Sequence, residues 1–194
     1  MKLSWMLILL QVACCACAST AAERQPDAVV RKLYAQVVAR HPLGIPKGPD
    51  RAAIWPFLSK QLKQRLEAAQ ACEADYMRQH SGNNGKPEFR WLENGIFSGG
   101  NEQALPAKAV IERAEAQMDG SFQVYVKLTY RDRESRDPSN IFRWEIAAKV
   151  VSEDGRFVVD DVLLFKDDST EVKSRLSGLF VGCDGSRWTG LQAN

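Results

Sequence analysis

Two adjacent carboxylates, Asp160 and Asp161, stand inside one of the most apolar stretches of the chain, Phe157 to Phe165. Side chains of a strand alternate between its faces, so one of the pair must share a face with apolar neighbours. A buried carboxylate either has a partner or holds its proton more tightly than usual. If Asp161 lies with Phe157, Val159, Leu163 and Phe165, it would serve as the general base of a small hydro-lyase or isomerase, with Tyr125 or Arg143 as stabiliser. The structural alternative is a carboxylate that pairs with an arginine, accepts backbone donors or marks a strand bend. Arg113, Arg143 and Tyr125 are the partners that neighbouring strands offer. Register is not readable from one sequence, so either aspartate can be the inward one.

Other catalytic chemistries lack their residues. The two histidines, His41 beside Pro42 and His80 at a helix end, read as loop or capping residues. No cluster of His, Cys and carboxylates has the spacing of a zinc site, so neither a metal nor a cofactor is expected. Gly182-Cys-Asp-Gly-Ser186 is not a nucleophile elbow. Ser98-Gly-Gly-Asn101 and Gly82 to Gly85 read as turns, since phosphate loops need a strand before them and a helix after. Among the tryptophans, Trp144 sits at core spacing, whereas Trp91 is the candidate to touch a bound apolar molecule.

The cysteines define a compartment. Three of the five lie in the first 22 residues, where Lys2, a run from Trp5 to Ala13 that is apolar apart from Gln11, and small residues at Ala16-Cys17-Ala18 or Ser19-Thr20-Ala21 read as a signal peptide. The run is too short for a permanent span, which takes roughly 20 apolar residues. Cleavage near Ala21 or Ala22 leaves residues 23–194 as one domain, about 172 residues long and large enough for its own core. Only Cys72 and Cys183 then remain, and in an oxidising compartment, periplasmic or extracellular, they are expected to pair. The alternatives are two buried free thiols, and, for the leader, a lipid-bearing Cys14, Cys15 or Cys17, whose preceding triplets fit that role poorly. With 26 Lys plus Arg against 24 Asp plus Glu, the chain has no basic block for nucleic acid.

These residues must be positioned by helices first and strands afterwards. Pro26 to His41 has an apolar stripe at Val30, Leu33 and Val37, and a short helical piece covers Arg51 to Phe57. Ser59 is placed to cap a longer helix that buries Leu62, Leu66, Ala69, Cys72 and Tyr76. After the turn-rich break at His80 to Pro87, alternation takes over. Ala107 to Gln117, Phe122 to Tyr130 and Phe142 to Val150 read as strands turning at Asp119-Gly120 and the polar loop Arg131 to Asn140, and Phe157 to Phe165 follows a turn at Glu153-Asp-Gly155. Asp167-Asp168 with Ser169 or Thr170 reads as the start of a short C-terminal helix with Val172, Leu176 and Leu179 on one edge.

Two helices followed by an antiparallel meander that ends in Val158-Val-Asp-Asp-Val162 resemble the nuclear transport factor 2-like superfamily across about residues 27–166. Trp91-Leu-Glu93, Phe97-Ser-Gly-Gly-Asn-Glu102 and Gly182-Cys-Asp-Gly185 with Trp188 narrow the resemblance to an exported bacterial branch described as a domain of unknown function. The resemblance implies an α+β fold in which a curved sheet wraps the helices into a cone with a pocket at its mouth. It carries over no catalytic residues, because the superfamily hosts dehydratases, isomerases, ligand binders and interaction modules.

The expectation is therefore an exported, non-enzymatic module that binds a small molecule or an envelope protein, with the aspartate-based enzyme as the alternative. A homodimer packing through the outer sheet face at Gln123, Tyr125, Lys127, Thr129, Arg143 and Glu145 is the third possibility.

Overall fold

The computed structural model describes residues 25–80, 89, 91–101, 103–131, 140–165 and 171–190. Helix α1 spans Pro26–Arg40, with the proline in its first turn, where a missing N–H costs nothing. It ends at His41, whose left-handed backbone (φ 49°) lets its N–H reach the Val37 carbonyl. Val30, Leu33, Tyr34 and Val37 are its buried face. A short α2, Gly48–Ile54, runs into a 3₁₀ turn at Trp55–Phe57. Helix α3, Lys60–Gln79, is capped by Ser59, whose Oγ accepts from the Leu62 N–H at 2.9 Å. Leu62, Leu66, Ala69 and Cys72 form its inward stripe, as their spacing predicts. No helix among the described residues is long and apolar enough to cross a membrane.

Five antiparallel strands follow: β1 (Lys108–Ala116), β2 (Phe122–Arg131), β3 (Ile141–Glu153), β4 (Arg156–Phe165) and β5 (Val172–Arg175). They lie in chain order and the sheet is open, so the fold is α+β. At the β3–β4 turn both Asp154 (φ 52°) and Gly155 (φ 75°) are left-handed, the backbone that a two-residue hairpin demands. Val124, Val126, Leu128, Ile146, Ala148 and Val150 point to one face and join the α1 and α3 stripes in a single hydrophobic core.

Strict alternation fails in β4, and the reason is a bulge. Lys149 pairs with Asp161 but Val150 pairs with Val159, so Asp160 is an extra residue. Val159 and Val162 consequently both enter the core, three positions apart. Phe157 and Val159 are on the core side, whereas Leu163 and Asp161 pair with Ala147 and Lys149 on the outer one. The shared face expected for Asp161 is thus divided by the inserted residue.

The C-terminal segment corrects a second expectation. Residues 172–175 form strand β5 rather than a helix, pairing Leu163 with Arg175 and Leu164 with Ser174. Strand β4 offers unpaired backbone groups along that edge, and filling them outweighs the weak helical spacing of Val172 and Leu176. Only a 3₁₀ turn, Leu176–Gly178, remains helical there, and it drops Leu176 into the core. The proposed helix start at Asp167 to Thr170 lies outside the described residues, as do the leader with its cysteines and the break at 81–88.

A small hairpin, β6 (Cys183–Asp184) and β7 (Arg187–Trp188), is the last element among the described residues. Cys72 and Cys183 are bonded, with 5.9 Å between their Cα atoms and 111 residues between them in sequence. Beside the bridge, Trp188 packs edge-on against Tyr76 and Phe89. Its backbone N–H donates to Asp75 of α3 at 2.9 Å.

That last contact makes the tail acid-sensitive. The Trp188 N–H, and after it Arg78, hold the Asp75 carboxyl below the usual carboxylate range. A group with a depressed folded pKa adds stability above its unfolded value, about 4, and loses it as pH falls through the folded value. Asp75→Asn is therefore expected to flatten part of the acid side of the melting curve. Asp119, Glu112 and Asp154, which Ser121, Lys127 and Lys60 respectively hold down, add to the slope in the same direction. Thermal unfolding from neutral pH into acid checks this, and identical acid slopes in parent and variant would refute it.

Candidate functional site

The two aspartates are both built into the scaffold. Asp160 accepts from Ser59 Oγ at 2.7 Å, so the bulge residue braces the cap of α3. Ser59 N–H also donates to the Val159 carbonyl at 2.8 Å, which continues the sheet edge into the helix. Asp161 is buried, at 6 % exposure, and its acceptor sites are filled by Val162 N–H (2.9 Å), Ser177 N–H (3.0 Å) and Ser177 Oγ (2.6 Å). Neither is among the residues lining the two cavities described below.

Tyr125 and Arg143, the proposed stabilisers, are not brought to either aspartate. Tyr125 Oη donates to Gln123 at 3.0 Å, and its ring lies between Arg113, 3.5 Å above it, and a stacked Phe165 at 6.0 Å. Burial, and then the Glu115 carboxylate, push the phenol up from its usual range. Arg113 is itself held by Glu115 (2.9 Å) and Glu145 (3.2 Å). The outer sheet face continues this pattern with Lys127–Glu112 at 2.7 Å and Lys149–Asp119 at 3.0 Å. Such exposed pairs each stabilise by little, and they leave most of the face's charge balanced.

Trp91 is a core residue. It is 1 % exposed, stacks on Phe89 at 4.5 Å and meets the edge of Phe180 at 5.3 Å. It lines neither cavity. The two histidines are capping residues: His41 Nε2 contacts the Pro106 carbonyl at 3.0 Å and His80 Nδ1 the Tyr76 carbonyl at 2.9 Å. Among the described residues no group of three or more His, Cys, Asp or Glu is placed to hold a metal.

What the fold does build is a cleft of about 650 Å³ at the end of the sheet, between the loop 94–101 and the ends of β3, β4 and β5. Ile96, Trp144, Ile146, Leu164 and Leu179 supply apolar wall, and Arg143 and Lys173 are charged members of the lining. The loop that closes one side is pinned twice. Tyr34 Oη donates to the Phe97 carbonyl at 2.6 Å, and Trp144 Nε1 donates to the Ser98 carbonyl at 2.7 Å. The Tyr34 phenol is pushed far up by burial, so it stays a donor at any physiological pH. Gly95 N–H bonds the Gly100 carbonyl at 2.6 Å. A Cβ on Gly100 would stand 2.4 Å from the Ala104 carbonyl oxygen, which is why the turn needs glycine.

Trp144 and the 94–101 loop are the site residues that sequence reasoning passes over. Trp144 packs half-buried against the core, as the face it shares with Phe142, Ile146, Ala148 and Val150 predicts. Near the end of β3, however, that face opens, and Phe142 is 56 % exposed. Paired glycines at 99–100 were the one available signal, and ordinary turns carry the same signal. A second, shallower cavity of about 500 Å³ lies between α1 and β1, lined mainly by small and aliphatic residues such as Ala35, Ala39, Ala107 and Val110.

No protein-family model, curated protein or solved structure matches this chain.

Proposed function

We propose that this chain is an exported, nuclear transport factor 2-like domain that binds a small molecule in the cleft at the end of its sheet and does no chemistry on it. The cleft carries the reading. At about 650 Å³ it falls in the size range of small-molecule sites, and its wall is mostly apolar with a few polar groups at hand. Export is supported by the leader sequence and by the bond between Cys72 and Cys183, which persists in oxidising compartments. The enzyme alternative has less support, because Asp161 accepts from Val162 and twice from Ser177, Asp160 accepts from Ser59, and neither lines the cleft. A homodimer through the outer face has no observation of its own in its favour, since Glu112, Arg113, Lys127 and Glu145 satisfy one another within the chain.

Ser174 lines the cleft from β5 and is half-buried, so Ser174→Trp would fill the space without touching the core. Native mass spectrometry of the protein purified from the expressing cells is expected to show a retained non-covalent mass that Ser174→Trp lacks. A folded parent protein with no added mass and no stabilisation by any member of a small-molecule library would remove the reading.

A further inference from the structure

Strands β1 and β5 are the two edges of the sheet, and they are finished differently. An edge strand carries unpaired N–H and C=O groups, which short length, charged side chains and bulges keep from pairing with another chain. Strand β5 has four residues, and its two exposed side chains, Lys173 and Arg175, are both cations. Strand β1 has nine, and its bulge at Glu112 leaves a regular edge over Lys108 to Ile111. Among the described residues nothing pairs with the outer edge of β1. Val110, at 42 % exposure, is the large apolar side chain left open there. Ala109 and Ile111 pair with Leu128 and Val126, so they lie on the core side, where both are only partly buried. Lys108 and Val110 pair with Thr129 and Lys127 on the opposite side, and Glu112 joins them there through its bond to Lys127 at 2.7 Å.

The order Lys, Val, Glu along that side is complementary to itself when reversed. We propose that two copies of this chain associate through β1, edge to edge and antiparallel about Val110, so that one sheet runs through both. Lys108, which forms no ion pair or hydrogen bond among the described residues, then faces Glu112 of the partner subunit. Val110 faces its own copy, and Ala109 faces Ile111 of the partner subunit on the core side. Moving the axis to residue 109 sets Lys108 against Val110, and moving it to 111 sets Val110 against Glu112, so charge and apolarity select one register. The trough of about 500 Å³ between α1 and β1 receives the core-side chains of the second copy, and the small Ala35 and Ala39 of α1 leave it room. Such a two-fold contact uses the same patch on each copy. One strand edge and one helix flank make a small interface, so association in the roughly micromolar range is expected. The trough shares no lining residue with the cleft at the end of the sheet, and the pairing stands independently of what that cleft binds.

Sedimentation velocity of the full protein between about 1 µM and about 1 mM tests the proposal and is expected to show monomer giving way to dimer. Val110→Lys places like charges on the two-fold axis at an exposed position, and should weaken the dimer at least about tenfold. Lys108→Glu sets a carboxylate against Glu112 of the partner subunit, and should weaken it by about tenfold, since symmetry repeats the contact. Adding Glu112→Lys to that variant should restore most of the association, which a general loss of folding would not allow. Amide hydrogen exchange at 108–112 should slow at high concentration, while exchange in β5 stays unchanged. A protein that remains monomeric at the highest concentration overturns the proposal. A dimer that Val110→Lys and Lys108→Glu leave intact, or one that protects β5 instead of β1, overturns it as well.

Discussion

Replacing Cys72 and Cys183 together by alanine is expected to lower the unfolding free energy by about 4–5 kcal/mol, the largest effect of any change considered for this chain. The bond joins positions 111 residues apart, so its removal returns a long loop to the unfolded ensemble. Loop entropy grows only logarithmically with length, which is why the figure stays moderate for so long a loop. For a domain of this size the melting temperature should fall by about 10–15 °C. Cys72 is fully buried, and its alanine replacement also removes packed volume, a loss in the same direction. The tail should respond first, since what would still hold it to α3 is non-covalent: the Trp188–Tyr76 edge contact and the bonds of Asp75 and Gln79 to the Trp188 backbone. Thermal unfolding of the variant checks the magnitude. Two titratable thiols in the denatured, unreduced protein, or a variant that melts with the parent, would contradict the bond's role.

Asp161→Ala is expected to cost about 2–4 kcal/mol, because it strips one acceptor from three donors at once. The carboxylate substitutes for the backbone partners that the 3₁₀ turn at Leu176–Gly178 leaves unmet, so the damage should centre on residues 176–180. Asp161→Asn should be much milder, about 1 kcal/mol. Its amide oxygen can still take both N–H donors, and its NH₂ can donate to Ser177 Oγ once the hydroxyl turns. Chemical denaturation of the two variants separates a structural tie from a catalytic base: the tie predicts a large alanine effect and a small asparagine effect. A fully stable Asp161→Ala protein would put the residue back among the catalytic candidates.

Particular residues show which features were legible in the chain. Pro26, Ser59 and Asp119-Gly120 announce their helix starts and turn because each acts through local backbone chemistry, within a few residues of itself. The apolar stripes of α1 and α3 and the alternation of β2 were equally visible, since burial of one face imposes a period. The Cys72–Cys183 pairing followed by elimination once the leader was set aside. Helix was the wrong expectation for 172–175 because the deciding force, the free edge of β4, lies elsewhere in the chain.

The sequence by itself determined the helices, the strands up to β4, the core faces of α1, α3 and β2 and the covalent clasp, all of which depend on neighbours in the chain or on residue identity alone. Tertiary structure decided the rest. The bulge at Asp160 arises from how β3 and β4 register, and one inserted residue reverses every side chain beyond it. The same registration spends Asp161 on Ser177 instead of leaving it free for chemistry. A side chain's chemistry is written in its type, but its partners are set by distances across the fold, which no single stretch of sequence contains.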